Sequence, residues 1–188
     1  YDDGIAYRFV SRAKKPFNVV SEQAEYRFPA DFEATVPYVA RGNEGDFESQ
    51  FFNSFENTYT TARLSALNPG RLMFLPLVVD AGDGVKVCIT ETDLENYPGL
   101  YLTNAGAAKN GLKGGFAPCP EKLEQGGHNN LQMLVRERKD HIAEIAAPRT
   151  FPWRVAIVGT DTDLAASDLS FLLAAPSKID DTSWIKPG

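Results

Sequence analysis

An all-β fold, built as an antiparallel sandwich, is what this sequence predicts, and three observations carry the prediction. Short runs of alternating apolar and polar residues recur along most of the 188 positions. Clusters of Gly, Pro, Asn and Asp separate them, as in Asn68-Pro69-Gly70, Ala81-Gly82-Asp83-Gly84 and Pro98-Gly99. One pair of runs, Leu77-Val78-Val79 and Val85-Lys86-Val87, flanks Asp83-Gly84, a dipeptide that supplies the two left-handed residues of a tight hairpin. Many short strands at such spacing pack best as two facing sheets.

In chain order, the first predicted strand runs from Gly4 to Val10, where alternation begins almost at the first residue. Further predicted strands span Val19 to Phe28, Ala34 to Val39, Tyr59 to Leu64, Arg71 to Val79 and Val85 to Thr90. Four more span Leu100 to Thr103, Leu112 to Phe116, Trp153 to Gly159 and Leu169 to Leu173. Two stretches resist. Thr92 to Asn96 reads as one helical turn, with Thr92 as its cap and Asp93 and Glu95 at its positive end. Between Asn130 and Ile145, Leu131, Leu134, Val135, Ile142 and Ile145 recur at helical spacing, which leaves helix and strand both open there.

Composition narrows the functional classes. Hydrophobic residues make up 43% and charged residues 23%, with 12 Phe, 7 Tyr and 2 Trp, enough for one domain with a sizeable core. The formal charge of −6 argues against a nucleic-acid backbone as partner. No apolar run approaches the roughly 20 residues that span a bilayer. Cys88 and Cys119 are too few for a disulfide framework, and a bridge between them stays open. No Cys/His metal spacing, phosphate loop or nucleophile elbow is present. His128 and His141 are isolated and read as surface or structural residues.

Three internal constellations bear chemistry. Ile89-Thr90-Glu91-Thr92-Asp93-Leu94-Glu95 runs an apolar strand into three carboxylates, oxygen donors suited to a hard cation, although such an ion wants 6–8 oxygens. A solvated acidic loop is the plainer alternative. Phe151-Pro152-Trp153-Arg154 sets aromatics beside a cation, as in a sugar-stacking platform, or simply places a core Trp at a strand start. Phe51 to Tyr59 interleaves aromatics with amides and suits packing or carbohydrate contact. Both chain ends read as unfinished: Tyr1 opens straight into a strand, and Trp184-Ile185 leads into Pro187-Gly188. The expectation is a piece of a larger protein.

The stretches DDGIAYRFV (Asp2 to Val10), EYRFP (Glu25 to Pro29), ITETDLENYPGLYL (Ile89 to Leu102), FAPCP (Phe116 to Pro120), RTFPWRVAIV (Arg149 to Val158), DLSFLLAAPSKI (Asp168 to Ile179) and DTSWIKPG (Asp181 to Gly188) are collinear. Together they resemble the N-terminal domain of glycoside hydrolase family 97. The resemblance implies a supersandwich of the galactose-mutarotase-like type over residues 1–180, incomplete at its N-terminal side. It implies that residues 181–188 are the junction to a (β/α)8 barrel lying downstream. It also implies an exo-acting, calcium-dependent enzyme on α-linked glucosides or galactosides, exported to the periplasm or secreted. Its catalytic carboxylates would come from the barrel, so none is expected here. Glu91 is the expected calcium ligand contributed by this domain, with Asp93 second. Cys119 departs from the aromatic expected in the FAPxP loop. The resemblance also makes Asn130 to Ile145 mainly strand. The alternatives are a stand-alone carbohydrate-binding sandwich using Trp153, Phe52 and Tyr59, and a purely structural domain that braces a barrel.

Overall fold

The computed structural model describes residues 1–106 and 110–186. Its strands, in chain order, are β1 (Gly4–Tyr7), β2 (Val10–Ser11), β3 (Phe17–Val19), β4 (Glu25–Arg27), β5 (Glu33–Val36), β6 (Thr60–Arg63), β7 (Leu77–Gly82), β8 (Val85–Thr92), β9 (Tyr101–Asn104), β10 (Gly111–Gly115), β11 (Pro120–Gly126), β12 (Gln132–Arg138), β13 (Ala143–Ile145), β14 (Arg149–Thr150) and β15 (Trp153–Gly159). Three short helices join them: α1 (Phe47–Gln50), α2 (Asp161–Ala166) and α3 (Leu169–Leu173). All the described strand pairs are antiparallel.

A six-stranded sheet in the order β1-β15-β8-β7-β5-β6 faces a three-stranded sheet, β4-β10-β9. Ala34, Val36, Leu77, Val79 and Ile89 from the first meet Leu102 and Leu112 from the second in the largest apolar core. These residues sit at alternate positions because successive strand side chains point to opposite faces. The opposite face of β15 carries Val155 and Ile157, which Leu169 of α3 covers. Gly4 lets β1 approach that layer: a Cβ there would meet Ala156 O at 2.5 Å and Leu169 Cδ2 at 2.8 Å.

The predicted hairpin forms between β7 and β8, with Asp83 at φ 53° and Gly84 at φ 77°, the left-handed pair that a type I′ turn requires. The predicted strand from Trp153 to Gly159 is β15, and the ambiguous Asn130 to Ile145 run contains β12 and β13. Others are shorter than expected. Gly4 to Val10 and Val19 to Phe28 each break between two strands, and Arg71 to Val79 is regular only from Leu77.

Two expectations are corrected. Leu169 to Leu173 is helix, not strand: Leu169 and Leu173 point inward four residues apart, while Phe171 and Leu172 are exposed. A strand would have put Leu169 and Phe171 on the same face. Thr92 to Asn96 is not a helical turn. Thr92 completes β8, and the backbone then turns through Asp93 at φ 60° and Asn96 at φ 48°. Cys88 and Cys119 are both free thiols. No helix of the described residues is long and apolar enough to cross a membrane.

Candidate functional site

The corner where β8 and β15 end holds a buried ionic cluster. Glu91 and Arg154 lie directly opposite each other in the β8–β15 register. Both side chains point away from the α3 layer, toward the face of the smaller sheet. Arg154 Nη1 donates to Glu91 Oε2 at 2.5 Å. Arg154 Nε and Nη2 both donate to Glu22, at 2.8 Å each, in a two-pronged contact. Glu22 lies in the irregular segment between β3 and β4, 132 residues from Arg154 in sequence. The Tyr97 hydroxyl donates to Glu22 Oε2 at 2.9 Å, and the Leu100 N–H donates to Glu91 Oε1 at 2.9 Å.

The cluster is deeply placed. Side-chain exposure is 2% for Arg154, 6% for Glu22 and 14% for Glu91. The Arg154 guanidinium lies 5.3 Å from the Phe116 ring centre and 6.0 Å from that of Tyr97, a cation–π setting. Burial pushes the Glu91 carboxyl up from its ordinary value, against the opposing pull of the Leu100 N–H and Arg154. Burial is the largest single influence on Arg154 and opposes its charge, yet the hydrogen bonds to Glu22 together with the charges of Glu22 and Glu91 outweigh it and its pKa is raised. Burial also raises the phenols of Tyr26 and Tyr97, which stay neutral. Tyr26 Oη is buried with no hydrogen-bond partner.

Glu91 also borders an open cleft of about 510 Å3, walled by Phe55, Phe74, Leu94, Pro98, Tyr101 and Ala117. Both of its carboxylate oxygens are engaged, Oε2 by Arg154 and Oε1 by the Leu100 N–H at the cleft wall. Two carboxylates share one guanidinium, so with both ionised the cluster carries surplus negative charge. Of the two acids Glu91 is the one that lines this cleft, and a carboxylate is the donor type that a hard cation takes. The described residues contain no group of three or more acidic, His or Cys side chains set to hold a metal. A complete coordination shell would therefore need oxygens from elsewhere.

The three-carboxylate motif does not converge. Asp93 turns to Arg8 at 3.4 Å and accepts the Ala175 N–H at 3.2 Å. Glu95 is exposed and pairs with Lys178. Nor do Trp153 and Arg154 form a joint platform, because neighbouring strand residues face opposite sides. Arg8 instead covers the Trp153 ring, 4.4 Å from its centre. From the Phe51 to Tyr59 stretch, Phe55 packs on Phe74 and Tyr101, with ring centres 5.3 and 6.1 Å apart, and so shapes the cleft wall. Phe52 and Tyr59 are exposed. His141 is structural, bonded to Asp140 and Glu144, and His128 is exposed. Sequence reading missed Glu22, which carries no local motif, and Tyr97 as its partner.

Comparison with known proteins agrees with this fold. A retaining α-galactosidase of Bacteroides thetaiotaomicron is 66% identical over 189 residues, covering all of this chain and 28% of that protein. A probable retaining α-galactosidase of Streptomyces bingchenggensis is 27% identical and is covered to 24% of its length. The chain thus spans about a quarter of the curated relatives it matches. A family 97 glycoside hydrolase from Pseudoalteromonas, solved with acarbose, superposes with a TM-score of 0.66 at 22% identity, over all of this chain and 24% of that one. A β-arabinopyranosidase structure matches 84% of the chain with a TM-score of 0.58 at 21% identity. The family model described as glycosyl-hydrolase 97 N-terminal aligns with residues 1–176, from β1 through α3, and the chain belongs to that family.

Proposed function

We propose that this chain is the N-terminal domain of a calcium-dependent, exo-acting α-glycosidase, directed to α-galactosides and acting with retention. Residues 1–180 form the sandwich that packs on a downstream (β/α)8 barrel, and residues 181–188 lead into it. The barrel supplies the catalytic carboxylates, so the domain alone is inactive. The 66% identity to a retaining α-galactosidase supports the substrate class. Export to the periplasm or beyond belongs to the same reading.

In this reading Glu91 is the residue that would hold calcium from this side. Calcium bound there would polarise a substrate oxygen and fix the two domains' relative orientation. The observation that carries this role is the placing of a desolvated carboxylate at a cleft wall, beside a guanidinium that a second carboxylate already engages. The Ala175 to Lys178 segment ties itself to Asp93 and Glu95 just beyond Glu91. That contact supports docking on this face.

The test is Glu91→Gln in the whole protein. Calcium affinity by calorimetry and turnover of an aryl α-galactoside should fall together, each by at least about tenfold, the lower end of the loss seen even when only a partner of a metal ligand is removed. Unchanged calcium affinity in that variant overturns the ligand role.

A further inference from the structure

We propose that the inner face of β1 and β15 is a docking surface for a strand of the same polypeptide that precedes Tyr1 and continues the smaller sheet beyond β4. Nothing in it depends on Glu91 as a ligand.

Exposure climbs along single rungs of the larger sheet. Leu77, Ile89, Ala156 and Ile5 lie side by side across β7, β8, β15 and β1. Leu77 and Ile89 are fully buried, Ala156 is half-buried and Ile5 is 71% exposed. The rung of Val79, Val87 and Val158 runs the same way, from buried to 38% exposed. Tyr7, on the face of Ile5, is 42% exposed and packs edge-on to Phe9. The other face of the same two strands is closed. Gly4 is buried against Leu169, and Ala6, Val155 and Ile157 pack in the α3 layer. β1 is therefore firmly seated, and only its inner face is bare. A sheet face that meets water carries polar residues at these alternate positions, whereas this one carries Ile, Tyr and Val.

The bare strip corresponds to what the smaller sheet lacks. At about 4.8 Å between strands, six strands span about 24 Å and three about 10 Å. Leu102 and Leu112 cover β5, β7 and β8, and beyond Arg154 no described strand covers β15 and β1. β4 is the outermost described strand on that side: Glu22, just before it, is held by Arg154 of β15. Phe28 N–H donates to Asn110 O, and Ala24 O accepts the Gly114 N–H. Even-numbered backbone groups of β4 thus face β10, and alternation turns the Arg27 N–H outward. A strand added beside β4 would take that N–H and lay its apolar face on Ile5, Tyr7 and Val158. The chain spans 28% of its α-galactosidase relative, so a protein of that length has ample polypeptide outside it. A segment leading into Tyr1 arrives beside β1. The chain after β15 instead runs over the other face through α3, where the Ala175 N–H donates to Asp93.

The experiment uses the whole protein. Hydroxyl-radical footprinting, scored against the urea-unfolded chain, should show Ile5, Tyr7 and Val158 oxidised at least about tenfold more slowly in the native state, and the Arg27 amide should exchange at least about a hundredfold more slowly than an open one. Benzoylphenylalanine in place of Tyr7 should, on irradiation, cross-link to a peptide ahead of Tyr1, identified by mass spectrometry. If that variant does not fold, the same probe goes at Arg27, whose side chain is 63% exposed. Oxidation of Ile5, Tyr7 and Val158 in proportion to the exposure seen here overturns the proposal. So does a cross-link to the downstream domain, a cross-link to a second copy running at twice the mass, or no cross-link from either site. An Arg27 amide that exchanges freely while the side chains are protected also overturns it, because the cover is then not a strand beside β4.

Discussion

Two polar side chains are buried to the same depth in this domain and behave differently. Gln50 has 0% exposure. Its Nε2 donates to Asn43 O at 2.9 Å and Gly70 O at 2.8 Å, and its Oε1 accepts the Leu72 N–H at 2.8 Å. Three backbone groups from two segments meet on one neutral amide with little left unsatisfied. Arg154, 2% exposed, gathers a similar number of partners, but they are charged and outnumber it, and Tyr26 Oη nearby has none. A neutral cluster that satisfies itself serves the fold alone. An ionic cluster with two acids on one base carries a desolvation cost that its pairing has to offset, and it responds to pH.

The sharpest way to break this contrast is Arg154→Met. It strands Glu22 and Glu91 as unpaired buried acids and should destabilise the domain by about 3–5 kcal/mol, read as a lower urea midpoint. The loss should shrink at acid pH, where the carboxylates protonate. Gln50→Leu comes next. It leaves the Leu72 N–H without a partner, while Asn43 O and Gly70 O keep the N–H groups of Asp46 and Gly45. The cost should be about 2 kcal/mol and should not depend on pH between about 5 and 8, because no group involved titrates. A Gln50→Leu penalty that changes with pH would erase the distinction.

A smaller effect concerns Glu91. Its folded pKa is raised, first by burial, so the folded state binds more protons than the unfolded state between the two values. Stability from this group therefore falls as pH rises through that window, and the cost is absent below the ordinary carboxylate value. Against wild type, Glu91→Gln should gain relative stability across that interval in chemical denaturation at stepped pH. His141 gives the smallest and opposite case. Its hydrogen bond with Asp140, then that with Glu144, raises its pKa. Its contribution is fully present below the ordinary His value and disappears as pH rises through the folded one. Melting temperatures taken from mildly acid to mildly basic pH should show that decline in wild type and not in His141→Gln.

The fold was largely legible because its strongest signals are local. Asp83-Gly84 can do little but turn a hairpin, and Trp153 to Gly159 alternates cleanly into two layers. Leu169 to Leu173 misled because four apolar residues around Ser170 fit either period, so the choice falls to what packs against them. Here β15 offers a patch for two leucines one turn apart. A start signal stood upstream: Thr160 and Asp163 form a capping box that opens the helical region. The site was legible only in part. Glu91 stood out as an acid at a strand end. Arg154 was noticed beside Trp153, but for a stacking role that strand alternation forbids. Glu22 had no signal, since its meaning comes from a residue 132 positions away.

From Lys86–Gly159 to Thr92–Trp153, β8 and β15 stay in step without a slip. Deleting one residue inside that ladder would rotate Glu91 out and present a threonine to Arg154. The tip at Gly82 and Gly84 has open space around it. Insertions among natural variants should therefore gather at this tip and avoid the ladder. The same place offers a graft point for a fluorophore or affinity tag that leaves the ionic corner undisturbed.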